Sequence, residues 1–449
     1  MFDPADEPSF RLDVAGLSIP LEVLAFTGCE AISEPFAFEL DLLIDDPHLD
    51  LAGLLYRSAR LSFGPSGSDV HGQLQRLVQH EHGQGARLCR ARLGPKLSCL
   101  GLRHSQRIFS GQSVPQILDQ VLRKHGITGR WRRFELKGEY PARTFCTQYG
   151  ESDLQLLQRL CAQARIHYHF EHGRDRHCLV FGDDPAGLPQ AGALCCAVEN
   201  NGDAPAIRRW LMSEQVNGGG GHATPVRTAQ GQSDVPTLRS GQWLTLTPEP
   251  FAAYSAQWLL TRIEHRADQM LEPSYGNRLY AVDQLQAAAP VFESSTIRMR
   301  SLQRAWVVAV DEPRPDCSRP VAVQFDWLYQ GEGAAPSHCW LPLAPALRET
   351  MPASWCEGVE VVVSFLEGDP EQPVISGVLQ SPVVSDCEED DGLPPLPDEL
   401  ASEGMLQWLG CGEPLLLLCL MPGGGSYRHC REPVCSCRLL AGLTPSDGR

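Results

Sequence analysis

The sequence lacks several things, and each absence removes a class of function. No stretch is apolar long enough to cross a bilayer. The longest clean run, Leu415 to Met421, falls far short of the roughly 20 residues a spanning helix needs. Residues 1 to 10 are acidic and polar, with no basic segment and no apolar core, so no Sec-type signal is expected. Gly-x-Ser-x-Gly, His-Glu-x-x-His, Walker and Gly-x-Gly-x-x-Gly motifs are all missing. Positive charge is short too. Against 55 Asp and Glu stand 38 Lys and Arg, for a formal net charge of −17. The Arg residues are scattered among acids and form no basic domain, so nucleic-acid binding is not expected.

Cysteine is plentiful, at 17, but the count is odd and the chain is long. Cys29, Cys99, Cys161 and Cys178 sit inside apolar runs. Buried free thiols behave as small hydrophobes, so a reducing cytosol is the better reading than a disulfide framework. The 449 residues are 43% hydrophobic, enough for three or four cores, with 35 Pro and 41 Gly. That composition favours many short strands joined by turns.

The chain begins as strands. Phe10 to Val14 and Phe36 to Leu40 alternate apolar and polar, and Arg60 to Phe63 runs into a Gly-Pro-Ser-Gly turn. Two helices follow. Ser113 is a candidate N-cap for a stripe of Val114, Ile117, Leu118, Val121 and Leu122, with Gly126 as the C-terminal cap. A second helix begins at Ser152 and carries Leu154, Leu157, Leu160, Cys161 and Ala164 on one face. A hairpin follows, from Ile166-Tyr168-Phe170 across Gly173 to Cys178–Phe181. Strands return over 190 to 290. There Arg239-Ser240…Leu244…Ile263-Glu264-His265 echoes Arg57-Ser58…Leu61…Val78-Gln79-His80, which would mean two related barrels in one chain. Residues 300 to 382 read as five short strands, the size of an OB-type Greek-key barrel.

Three clusters could carry chemistry. His167, His169, His172 and His177 surround the hairpin; they offer metal-ligand spacing, or the half-exposed polar face of a strand. Glu367, Asp369 and Glu371 could do acid–base work, or sit solvated on a turn with Gly368 and Pro370. Cys411, Cys419, His429, Cys430, Cys435 and Cys437 could close a zinc site or be reduced thiols. In each case the second reading is preferred. No catalytic residue, cofactor or metal is assigned, and the chain is read as a non-enzyme.

Many short motifs occur in one order. They include Phe26-Thr27-Gly28-Cys29-Glu30-Ala31-Ile32-Ser33-Glu34-Pro35-Phe36, His71-Gly72 and Ser105-Gln106-Arg107-Ile108-Phe109. Gln148-Tyr149-Gly150-Glu151-Ser152-Asp153-Leu154, with Leu157 and Arg159-Leu160, comes next. Val323-Gln324-Phe325-Asp326-Trp327, Cys339-Trp340 and the run Phe365 to Gly377 complete the set. Together, over residues 8 to 382, they resemble the VgrG family of type VI secretion spike proteins. The resemblance implies a mainly β fold with a small α+β segment: phage-hub-like β-barrels, then an OB-fold barrel. The expected domains are a first hub barrel over 1–95, an α+β insert over 96–189 and a second, shortened barrel over 190–299. An OB barrel over 300–382, an acidic Pro-rich linker over 383–400 and a Cys-rich apolar tail over 401–449 complete them.

By the same resemblance, the protein is a homotrimer whose six barrels cap a six-fold Hcp tube on the baseplate. Three copies would carry −51, so their contacts must offset mutual repulsion. The chain would assemble in the cytoplasm and leave through the apparatus without a signal peptide, meeting membranes only by mechanical puncture. Glu30, Arg107, Phe109, Tyr149, Glu151 and Asp153 should hold the hub; Trp327, Trp340 and Phe365 should pack the OB core. Three departures stand out. Ser318-Arg319-Pro320-Val321 replaces a Gly-Arg-Val pattern, so that strand should begin after Pro320. The stretch from Trp210 to Gly241 looks shortened. Nothing after Pro382 resembles the family's β-helical needle, and no appended enzyme domain is visible. Residues 383 to 449 are therefore either a docking tail for a PAAR-type tip, adaptor or effector, or the remnant of a longer spike.

Overall fold

The computed structural model describes residues 10–64, 68–82, 86–173, 175–196, 205–215, 226–247, 257–283, 298–311, 320–328, 338–350, 357–380, 416–419 and 426–429. They fall into two compact units that divide after Thr296. The fold is mainly β, with barrels, as the sequence led us to expect.

Six strands open the first unit: β1 (Phe10–Val14), β2 (Leu21–Ala31), β3 (Ala37–Ile44), β4 (Ser58–Phe63), β5 (Val70–His82) and β6 (Arg87–Gly94). They hydrogen-bond in the order β1-β4-β5-β6-β3-β2, and β2 returns to β1 through Leu12↔Leu21, so the sheet closes into a barrel. Alternation drives the closure, because β3 buries every second side chain. Phe26, Phe38 and Phe63 fill the interior, with Phe26 and Phe63 ring centroids 4.9 Å apart.

The α+β insert follows. Its elements are β7 (Arg107–Phe109), α1 (Val114–Lys124), β8 (Arg132–Glu135), β9 (Cys146–Gln148), α2 (Asp153–Ala164), β10 (His167–His172) and β11 (His177–Gly182). The sequence stripe of α1 is its buried face, Val114, Ile117, Leu118, Val121 and Leu122. The Gln116 side chain accepts from the Ser113 N–H, and Gly126 ends the helix at φ +66°. Ser152 caps α2 in the same way. The buried face of α2 is Leu156, Leu157, Leu160 and Cys161; Leu154, expected inside, is only partly buried.

Six further strands make a second barrel: β12 (Gln190–Cys195), β13 (Ile207–Gln215), β14 (Val226–Ser233), β15 (Trp243–Thr247), β16 (Gln257–Asp268) and β17 (Tyr275–Asp283). They pair as β12-β15-β16-β17-β14-β13, and a Cys196↔Ile207 bridge leads back from β13 to the end of β12. Slot for slot this is the order of the first barrel. One strand differs: β12 runs parallel to β15, whereas β1 runs antiparallel to β4.

Shared bulges fix the correspondence residue by residue. The β2–β3 ladder skips Leu24 and β13–β14 skips Arg208; β5–β6 skips Gln75 and β16–β17 skips Thr261. Following partners from strand to strand, Phe26–Leu40–Ala91–Leu77 matches Trp210–Gly231–Leu279–Ile263. The echo in the sequence is thus real in kind but wrong in register. Ile263 corresponds to Leu77, not Val78, and Leu244 to Ala59, not Leu61. A one-residue slip in a strand turns every side chain to the other face, and sequence similarity alone does not see the bulges.

The second unit holds β18 (Gln303–Val307), β19 (Val321–Phe325), β20 (Cys339–Leu341), α3 (Pro345–Thr350), β21 (Glu360–Phe365) and β22 (Pro373–Gln380). Their order is β20-β19-β18-β21-β22, and a Leu343↔Ile375 bridge closes the barrel. A short helix between third and fourth strands completes an OB-type arrangement. As expected, β19 starts at Val321, directly after Pro320. Beyond residue 380 only a hairpin of residues 416–419 and 426–429 is described.

Candidate functional site

The two barrels of the first unit are joined by β2 and β16. Each is long enough to serve both barrels. Residues 21 and 22 of β2 pair with β1, while 25 to 31 pair with β16. Residues 257 to 259 of β16 pair with β15, while 262 to 268 pair with β2. The result is an antiparallel ladder from Arg262↔Ala31 to Asp268↔Ala25 that makes one continuous sheet of both barrels.

A charged cluster is buried in this seam. Glu30 is 4% exposed. His265 Nε2 lies 3.2 Å from its Oε1, and Arg239 Nε 3.8 Å away. Arg239 also donates to the carbonyls of Pro236 (2.9 Å) and Leu238 (2.8 Å), and its guanidinium stands 5.6 Å over the Phe63 ring. His265 Nδ1 and the Tyr275 hydroxyl are 2.7 Å apart. Burial alone would raise the Glu30 pKa; the Arg239 charge and His265 outweigh it and hold the carboxyl at about 2. Burial pushes His265 down, so it stays neutral although Glu30 favours its proton.

The insert has a second cluster. Asp153, fully buried at the start of α2, accepts from Arg107 Nη2 and from Gln148 Nε2 (2.9 Å), with His125 Nε2 at 2.7 Å. Glu151 accepts twice from Arg159, at 2.7 and 3.2 Å, and Arg159 also donates to the Thr147 carbonyl. Phe109 is buried under the Arg107 guanidinium, and Tyr149 is half-buried. Five of the six residues named for the hub thus fall into two places. Glu30 serves the seam, and Arg107, Phe109, Glu151 and Asp153 tie β7 and β9 to α2. Sequence reasoning missed their partners Arg239, His265, Tyr275 and His125, since no local pattern links such distant positions. Arg159 stood within a quoted motif but had no assigned mate.

Three of the four histidines are buried instead of forming a half-exposed strand face, and His172 is partly buried. His167, His169 and His177 are 4%, 4% and 6% exposed. His172 and His177 pack on Phe36 with ring centroids at 5.2 and 5.8 Å, and His172 Nδ1 accepts from the His71 N–H at 3.1 Å. Burial lowers His167 and His177 to about 4 and His172 to about 3, so they behave as neutral aromatic filling. Among the described residues no group of three His, Cys, Asp or Glu is placed to hold a metal.

The acidic turn is structural in its contacts. Asp369 accepts from the Glu371 N–H (2.9 Å) and from Gln372 Nε2 (3.1 Å), and Glu367 takes φ +53°. In the OB core Phe365 is 8% exposed and Phe325 is fully buried. Trp327 and Trp340 are only half-buried, which corrects their assignment to the core. Cys339 and Leu341 point inward, so period two turns Trp340 to the other face. Of the tail set, Cys411, Cys430, Cys435 and Cys437 lie outside the described residues, and Cys419 and His429 are described only as hairpin backbone.

An open groove of about 1370 Å³ follows the seam. Two ion pairs line it, Arg208 with Asp234 at 2.7 Å and Arg262 with Glu264 at 3.3 Å. Such an arrangement holds sheets in register.

Residues 29–224 match the family described as phage tail baseplate hub. Two Pseudomonas aeruginosa proteins named as type VI secretion system spike proteins, VgrG4b and VgrG5, are 33% and 34% identical over 84% of this chain. The chain covers 57% and 58% of their lengths. A Vibrio cholerae protein named actin cross-linking toxin VgrG1 is 24% identical over 82% of the chain and 41% of its own length. Among solved structures, an Escherichia coli type VI secretion component reported as similar to T4 tail proteins gp27 and gp5 aligns with TM-score 0.67 and 22% identity. It covers 82% of this chain and 99% of its own.

Proposed function

Because the chain belongs to the VgrG family of type VI secretion spike proteins, we propose that it is a structural part of that apparatus: a homotrimeric hub with an OB-fold collar, seated in the baseplate. On this reading it caps the Hcp tube, transmits force from the contracting sheath and carries effectors, with no catalytic step of its own. It assembles in the cytoplasm and is exported by the apparatus.

One observation carries the reading. A single chain holds two barrels of the same strand order, joined edge to edge by a β-ladder. Three chains then supply six similar barrels, which suits a six-fold tube on one side and a three-fold axis on the other. The charged clusters fit mechanical work, since they tie strands together instead of facing a substrate. The test is the mass of the purified full chain in solution, with capture of Hcp. Three times the 49.4 kDa chain mass is expected. A monomer at micromolar concentration that captures no Hcp would overturn the reading.

A second role rests on composition. The acidic, Pro-rich 383–400 segment followed by the Cys-rich 401–449 segment is suited to docking a tip, adaptor or effector. Deleting 383–449 should leave the trimer intact and remove one partner from a pull-down; an unchanged partner set would sink this role.

A further inference from the structure

The joint inside one chain uses two half-strand edges, and among the described residues their counterparts have no strand partner. By the bulge-fixed correspondence, β13 occupies the slot of β2, and β5 the slot of β16. In the joint, residues 25 to 31 of β2 meet residues 262 to 268 of β16. The matching stretch of β13 pairs with β14 on one side, and the matching stretch of β5 pairs with β6 on one side. No strand among the described residues pairs with the other edge of either.

These two edges also carry apolar side chains in water. Val78 on β5 is 36% exposed and Leu211 on β13 is 52% exposed. Their counterparts at the covered joint, Glu264 and Thr27, are polar. An open strand edge with exposed apolar groups is a template for strand addition, and soluble proteins keep such edges only where something covers them.

We propose that the bare edge of β5, Arg76 to Gln79, pairs antiparallel with the bare edge of β13, Met212 to Gln215, of a second copy of this chain. This rests on the trimer reading above and specifies its contact. Transferring the registers Ile263↔Glu30, Glu264↔Cys29 and His265↔Gly28 gives Leu77↔Glu214, Val78↔Ser213 and Gln79↔Met212 between copies. Val78 then lies across from Ser213, with Leu211 two residues along on the same face, within reach on the diagonal. The two edges differ, so each copy offers one of each and the contact runs head to tail. Every joint in the ring repeats the β2–β16 ladder.

The test uses the full chain with Val78→Cys and Ser213→Cys together, oxidised and run without reductant. Covalent trimers are expected from the double variant, above the background of the parent and of each single variant. A second arm replaces both positions with Lys. Like charges placed opposite each other should at least halve the trimer fraction at micromolar concentration, and Val78→Lys with Ser213→Glu should restore it, which shows that the chain still folds. A parent that is a trimer but gives no cross-link and does not respond to the lysine pair overturns this edge pairing and leaves the trimer reading standing. A parent that is a monomer overturns both.

Discussion

At the scale of single residues, the buried charges decide most. Removing one partner of a buried ion pair leaves the other uncompensated, at a cost of about 3–5 kcal/mol. Glu30→Ala, which strands Arg239 in the seam, should lower the stability of the first unit by about that much, read by chemical denaturation. The histidines add a pH dependence. His167, His172 and His177 are held below their ordinary value by burial, to about 4, 3 and 4. Once unfolded they take up protons near pH 6.5, so the folded state binds fewer protons below that pH. Stability should therefore be full above about pH 6.5 and fall steadily toward pH 4. Glu30 acts lower down, its contribution fading from about pH 4.5 toward 2. Melting curves between pH 4 and 7 check the histidine part. His177→Phe, which keeps the packing against Phe36, should flatten the slope; an unchanged slope would remove His177 from the explanation. The sequence offered these histidines as ligands or surface. It could not show that Phe36, far away in the chain, would pack on His172 and His177.

Among the elements, helices were easier to read than strands. The apolar stripe of α1 and both caps stand in the sequence because capping and 3.6-residue periodicity are local physics. Ser152→Ala removes the oxygen that accepts from the Gln155 N–H and should cost about 1 kcal/mol, seen as faster hydrogen exchange over α2. The strands gave their alternation but not their register. Bulges at Leu24, Gln75, Arg208 and Thr261 move the pairing by one residue, and nothing in composition marks them. Trp340 shows the same limit. An aromatic next to Cys339 looks like core, yet its place in the period puts it on the outer face.

At the scale of the molecule, two compact units carry separate cores. Phe325→Ala should destabilise the second by about 3–5 kcal/mol. Hydrogen exchange should rise over residues 303–380 and stay unchanged over the two barrels; a rise in both would show that the units unfold together. Charge acts at this scale too. In the proposed trimer three chains of −17 would repel one another, so raising salt from 50 to 500 mM should shift the concentration of half-dissociation downward, measured by sedimentation.

The sequence by itself determined a mainly β chain, its two capped helices, an OB-sized second unit and family membership. All of these follow from local periodicity and from motifs in a fixed order. Only the tertiary structure decided that the internal echo is a pair of barrels of one strand order, which residue matches which, and that β2 and β16 join them. It also found the mates of Glu30 and Asp153, and two strand edges with no strand partner among the described residues. The physical reason is that ladders, bulges and buried ion pairs are made between positions far apart in the chain, where closure of the sheet, and not the neighbouring sequence, selects the partner.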